Sequence, residues 1–167
     1  MPNVLFVCSA NRFRSVLAAE YFTSLLEKQA PSGEWVVGSA GIWAREGVAP
    51  TKEALQWAAG KQLHIESVRS REISNALIAE ADLIIVMTNG QREAISIEFP
   101  EAREKLTLLS EIAAAQIYDI PDPIIESGEE PLQIAEEIST LIDAGFERIL
   151  KRAAGRANNL GAQLRGA

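Results

Sequence analysis

The sequence predicts an α/β fold: a single three-layer domain, Rossmann-like or flavodoxin-like, with a four-stranded parallel sheet flanked by helices. Three observations carry this expectation. Short apolar runs rich in β-formers recur along the chain, as in strands buried on both faces. Between them lie segments with apolar residues at helical spacing, giving the strand–helix alternation of parallel sheets. The length of 167 residues suits one domain and buries a sizeable core without disulfides.

The first strand covers residues 3–7 (Asn-Val-Leu-Phe-Val), and residues 8–15 form a polar loop after it. A helix is predicted over 16–29, with Ala18, Tyr21, Phe22, Leu25 and Leu26 on one face, ended by Ala30-Pro31-Ser32-Gly33. Trp35-Val36-Val37 is the second strand, followed by Ser39-Ala40-Gly41. A short helix over 51–59 is entered at Pro50 and closed by Gly60. Residues 74–80 give another turn or two of helix, and 81–87 (Ala-Asp-Leu-Ile-Ile-Val-Met) the third buried strand. Residues 91–98 are helical and stop before Pro100; 105–109 form the fourth strand; 110–115 add a helical turn. A loop rich in Pro and Gly spans 119–131. A long amphipathic helix covers 132–151, with Ile134, Ile138, Leu141, Ile142 and Ile149 on its apolar side. From Gly155 the chain reads as a frayed tail, so the folded domain is assigned to 1–154 and a flexible basic tail to 155–167.

Composition narrows the function. Hydrophobic residues make up 47% and charged residues 23%, ordinary for a folded domain and unlike disorder, collagen or fibre. No apolar run approaches the ~18 residues of a membrane helix, and residues 1–7 lack the basic stretch of a signal peptide. Neither a membrane nor a secreted location is expected. One cysteine, Cys8, excludes an internal disulfide and a Cys-rich zinc site, and points to a reducing cytoplasm. One histidine, His64, argues against multi-His metal sites. The net charge is −7; all 23 acids lie between Glu20 and Glu147, an acidic body that argues against nucleic acid as partner. The stretch before Glu20 is the exception, carrying Arg12 and Arg14 without a carboxylate.

That positive stretch holds the chemistry. Cys8-Ser9-Ala10-Asn11-Arg12-Phe13-Arg14-Ser15 leaves a buried strand and enters a helix, in the pattern C-x5-R-S. Successive backbone N–H groups of such a loop bind phosphate, and the helix N-terminus adds positive potential. Arg14 is suited to hold two phosphate oxygens bidentately. The same field favours thiolate at Cys8, and Ser15 donates a hydrogen bond to it. A nucleophile inside an anion cradle suits phosphoryl transfer through a phosphocysteine. The leaving oxygen needs a proton. Asp122 in Ile120-Pro121-Asp122-Pro123 is the first candidate donor, because a carboxyl facing a phosphate dianion holds its proton more firmly. Asp119 is the rival.

At these residues the chain resembles the low-molecular-weight protein tyrosine phosphatase family, in its bacterial type, whose related branches include protein-arginine phosphatases and arsenate reductases. The resemblance runs through Val7, Cys8, Asn11, Arg14 and Ser15, then Ser39-Ala40-Gly41, Ala81-Asp82-Leu83 to Met87-Thr88, and Asp122-Pro123, over residues 3–151. It implies the four-stranded parallel sheet flanked by helices, no metal and no cofactor. Cys8 is then the nucleophile, Arg14 the phosphate clamp, and Asp122 the acid that next activates the hydrolytic water. Ser15 stabilises the thiolate, and Asn11 orders the loop from a left-handed conformation. The loop residues Ser9, Ala10, Asn11, Arg12, Phe13 and Ser15, with Trp43, are assigned to substrate binding. Trp43 either lines the pocket mouth or covers core.

The chain departs from the family pattern at Ala10, often Gly; at Phe13, usually a second Cys; at Val16, commonly Pro; at Val68, often His; and at Ile124-Ile125, often aromatic. Arg12 stands at a position tied to substrate choice. The implied substrate is a phosphorylated protein or a small phosphomonoester, with phosphotyrosine first and phosphoarginine as the alternative, and the chain a monomer or weak dimer. A non-catalytic phosphopeptide-binding module is the reading from another class. Arsenate reduction needs resolving cysteines, and with Cys8 alone it would require external thiols. Trp35 and Trp57 are expected in core or on a helix face, His64 at the surface, and Glu129-Glu130 and Glu136-Glu137 on solvated faces.

Overall fold

The computed structural model describes residues 1–29, 34–123 and 130–165, with side chains through 159. The expected turn at Ala30–Gly33, the Ile124-Ile125 pair, Glu129 and the last two residues lie outside the described residues. The elements run β1 (Asn3–Cys8), α1 (Arg14–Gln29), β2 (Val36–Gly41), α2 (Lys52–Gly60), α3 (Asn75–Glu80), β3 (Leu83–Val86), α4 (Asn89–Glu98), a 3-10 helix (Pro100–Lys105), β4 (Leu106–Leu108), α5 (Leu109–Ala114) and α6 (Pro131–Arg165).

The four strands pair in the order β2-β1-β3-β4, all parallel. Alternation along β1 divides the interior in two. Val4, Phe6 and Cys8 face a core built with α1, α2, α5 and α6, while Leu5 and Val7 face a smaller one built with α3 and α4. Phe22 on α1 centres the larger core, with ring centroids 5.7 Å from Phe6, 5.5 Å from Phe146 and 6.4 Å from Trp35. The order reverses direction between β1 and β3, so the loops leaving these two strands diverge and open a crevice at their carboxyl ends. Cys8, itself buried, is the last residue of β1 at this carboxyl edge of the sheet.

The fold class and element order match the expectation, and the boundaries differ in ways that matter. Helix α1 begins at Arg14, two residues before the predicted start, so Arg14 and Ser15 belong to its first turn. Strand β2 starts after Trp35 and takes in Ser39-Ala40-Gly41, through pairing with Phe6, Val7 and Cys8. Helix α6 begins with Pro131 at its first position and continues to Arg165, so the stretch read as a frayed tail is helical. The good helix formers around Gly155 outweigh the ~1 kcal/mol cost of that glycine. Ala153 is buried, and Arg156 pairs with Glu104 at 3.5 Å. Ile134, Ile138, Leu141, Ile142 and Ile149 are buried as predicted, and His64 is exposed. Glu136 is exposed but engaged, accepting from Trp57 Nε1 at 2.9 Å and pairing with Lys61. Among the described residues, no helix is long and apolar enough to cross a membrane.

Candidate active site

Residues 9–13 leave β1 and turn back into α1, because Asn11 adopts the left-handed conformation at φ 55°. Asparagine tolerates that backbone better than other residues with a Cβ. Its buried side chain then ties the loop from within. Oδ1 accepts the Arg71 N–H at 3.0 Å, which turns Nδ2 toward Ser15 Oγ and Ser39 Oγ, both at 2.9 Å. Ser15 Oγ lies 3.0 Å from Cys8 Sγ. With Asn11 donating to that oxygen, the Ser15 hydrogen is left to point at the sulfur. The Thr51 N–H on Arg12 O and the Trp43 N–H on Ser9 O anchor the loop from outside. Gly41 is required here: a Cβ would stand 2.6 Å from Ser9 O and 3.0 Å from the Ala10 carbonyl carbon.

Arg14 is nearly enclosed. It donates through Nη1 to Ile120 O at 2.9 Å and through Nη2 to Asp122 Oδ2 at 3.1 Å, with Ser9 Oγ at 3.5 Å from the same nitrogen. Side-chain exposure is 3% for Arg14 and 13% for Asp122. The Asp122 segment is held against the sheet by the Ile120 N–H, which donates to Met87 O at 2.9 Å. Asp119 is directed elsewhere, accepting the Asn89 N–H at 2.7 Å at the start of α4.

Ser9, Arg14, Trp43, Thr88, Gly90, Gln91 and Asp122 enclose a cavity of about 290 Å3 in the crevice between the β1 and β3 loops. Trp43 is 71% exposed at this cavity, so of its two expected places it takes the mouth and not the core. Arg12 and Phe13 line a neighbouring cavity with Thr51, Lys52 and Pro123; Phe13 is otherwise buried, and Arg12 Nε donates to Ala49 O. Asn11 and Ser15 are buried beneath the loop, and Ala10 is half-buried within it. The sequence reading missed Gln91. Its signal was the spacing Thr88-x-x-Gln91, which forms a capping box on α4, and that pattern is ordinarily structural.

The arrangement places a thiol, a serine hydroxyl donor and an anchored loop at a helix start, with a guanidinium and a carboxylate across a small crevice. It suits capture of a tetrahedral anion and attack on it by sulfur.

Comparison with known proteins agrees with this chemistry. The profile of the low molecular weight phosphotyrosine protein phosphatase family matches residues 3–163. The chain is 36% identical to a protein-arginine-phosphatase of Geobacillus stearothermophilus over 152 residues, 89% of this chain and 97% of the relative. It is 35% identical to the low molecular weight protein-tyrosine-phosphatase Wzb of Escherichia coli K12 over 127 residues, 76% of this chain and 81% of the relative. Among solved structures, a mutant of the YwlE arginine phosphatase with a phosphorylated active site serine superposes with a TM-score of 0.81, at 26% identity, covering 89% of this chain and 96% of that one.

Proposed function

The chain belongs to the low molecular weight phosphotyrosine protein phosphatase family, and from that premise we propose that it hydrolyses phosphotyrosine in proteins through a phosphocysteine on Cys8. Cys8 Sγ attacks phosphorus as the bond to the leaving oxygen breaks, and Asp122 gives that oxygen its proton. Water then attacks the phosphocysteine, Asp122 takes a proton from it, and the P–S bond breaks to release inorganic phosphate and the thiolate. Ser15 donates to the sulfur when it leaves. Arg14 holds the phosphoryl oxygens with the loop amides of Ser9, Ala10, Asn11, Arg12 and Phe13. Binding a phosphoryl dianion offers Arg14 a second anion beside Asp122 and sets two negative groups side by side.

The observation that carries the tyrosine preference is Trp43. It presents an exposed ring at the mouth of the cavity that holds Arg14 and Asp122, where an aryl leaving group stacks. Arg12 adds a cation beside Pro123, which opposes a guanidinium leaving group. Phosphoarginine is the second reading, favoured by the 36% identity to the Geobacillus protein-arginine-phosphatase. The enzyme acts as a monomer or weak dimer in the reducing cytoplasm, where its single cysteine stays reduced. Phosphate release from matched phosphotyrosine and phosphoarginine peptides, by wild type and Trp43→Ala, tests the choice. Faster turnover of phosphotyrosine, lost selectively in Trp43→Ala, is expected; faster turnover of phosphoarginine reverses the order.

A further inference from the structure

Gln91 sits in the first turn of α4 and is only 3% exposed, although it borders the active-site cavity. Its Oε1 accepts two main-chain N–H groups at the end of β3, Met87 at 2.9 Å and Thr88 at 3.1 Å. Two converging donors fix which amide atom is the oxygen, so Nε2 points away from the strand. There it donates to Ser9 Oγ at 3.1 Å, across 82 residues of sequence. Arg14 Nη2 approaches the same oxygen at 3.5 Å. An amide NH2 and a guanidinium have no lone pair to offer, so neither can receive the Ser9 proton. A hydroxyl carries two lone pairs and one hydrogen. With nitrogen donors on its lone-pair sides, the Ser9 hydrogen is directed into the remaining sector, which is the cavity. Asp122 borders that cavity as well and accepts from Arg14 through Oδ2. The Ser9 main chain is equally fixed, through the Trp43 N–H on its carbonyl and the close approach of Gly41.

We propose that Gln91 is a positioning residue that aims the Ser9 hydroxyl hydrogen at a phosphoryl oxygen, adding a side-chain donor to the amides of the loop. The proposal rests on the phosphatase reading above. Gln91 thereby couples the loop after β3 to the loop after β1, the two walls of the crevice. Glutamate at this place would invert the device. Its first oxygen would still accept from Met87 and Thr88, but its second would accept the Ser9 proton and place a negative charge facing the phosphoryl group.

The test uses the full chain with Ser9→Ala, Ser9→Thr, Gln91→Met, Gln91→Glu and the double variant Ser9→Ala/Gln91→Met. One readout is the affinity for inorganic phosphate, measured as protection of Cys8 from alkylation by iodoacetamide. The other is kcat and KM on para-nitrophenyl phosphate. Ser9→Ala is expected to weaken phosphate binding and kcat/KM roughly ten- to a hundredfold, the worth of one hydrogen bond to a charged group. Ser9→Thr keeps the hydroxyl and is expected to recover part of the loss seen in Ser9→Ala. Gln91→Met loses as much as Ser9→Ala in the wild-type background and nothing further in the Ser9→Ala background, and Gln91→Glu loses more than Gln91→Met. Wild-type behaviour of Ser9→Ala would overturn the proposal. So would equal losses from Gln91→Met in both backgrounds, which mark a purely structural cap. If Gln91→Met does not fold, Gln91→Glu, which keeps the bonds to β3, decides between the same outcomes. Protection by phosphate is read without turnover. A wild type that binds phosphate through Ser9 yet hydrolyses nothing would refute the phosphatase reading and leave this contact standing.

Discussion

Replacing Asn11 with alanine asks whether one side chain holds the phosphate loop in shape. Three losses combine. Alanine at φ 55° costs about 1 kcal/mol more than asparagine in the left-handed region. The Arg71 N–H loses its acceptor, at about 1–3 kcal/mol for a donor left in a partly buried place. The Ser15 and Ser39 hydroxyls each lose a bond worth about 1 kcal/mol net. Together these amount to about 4–6 kcal/mol, a large share of the ~5–15 kcal/mol that holds a domain together. Urea unfolding followed by tryptophan fluorescence reads this directly. Asn11→Gly separates the parts: it removes the same hydrogen bonds but not the left-handed preference, so it is expected to be about 1 kcal/mol more stable than Asn11→Ala. Both variants should also lose turnover, because the Ser15 hydrogen is no longer held toward Cys8. Asn11→Ala within about 1 kcal/mol of wild type, or Asn11→Gly less stable than Asn11→Ala, would refute the reasoning.

Asp122→Ala is expected to lower kcat on phosphotyrosine peptides by about 10²–10⁴, and by less on para-nitrophenyl phosphate, whose leaving group departs without a proton; steady-state rates showing equal losses on both would contradict its role as acid. Phe22→Ala removes the hub of the aromatic cluster with Phe6, Phe146 and Trp35 and should cost about 3–5 kcal/mol by denaturant unfolding; a loss below about 1 kcal/mol would contradict that packing. Tyr21 and Tyr118 are both pushed up to about 12, by burial first and then by the carboxylates of Asp143 and Glu137. Because folding favours their neutral forms, the stability they add is full below the ordinary value of 10.0 and is lost as pH rises toward about 12. Near-ultraviolet absorbance of the folded protein should therefore show tyrosinate only as pH approaches about 12, and titration of either tyrosine at the ordinary value of 10.0 would contradict this.

What was legible in the sequence was what the chain encodes locally. Four apolar runs between amphipathic segments gave the parallel sheet and its layers. The spacing from Cys8 to Arg14 and Ser15 was read as a loop entering a helix, and Ser15 does lie against Cys8. The contacts that build the site across the molecule were not legible in the same way. Arg14 meets Ile120 and Asp122 from more than 100 residues away, and the sequence ranked Asp122 ahead of Asp119 by its flanking prolines and by the resemblance to a known family, with no view of the partner it would face. The structure separates the two by giving Asp119 to the first turn of α4. Gln91 escaped notice because a Thr-x-x-Gln spacing fully accounts for a glutamine at a helix start. Its bond to Ser9 exists only once β1 and β3 lie side by side. The helical end of the chain is hidden in the sequence for another reason. Gly155 and the paired asparagines suggested fraying, whereas Ala153 packs into the core and carries the helix onward.

The most direct measurement of the central claim is mass spectrometry of Asp122→Ala, acid-quenched during turnover of para-nitrophenyl phosphate. With attack by sulfur intact and the base for hydrolysis removed, one phosphoryl group should accumulate on the peptide that contains Cys8. Release of phosphate with no adduct, or an adduct on any other residue, would contradict a mechanism that runs through phosphocysteine.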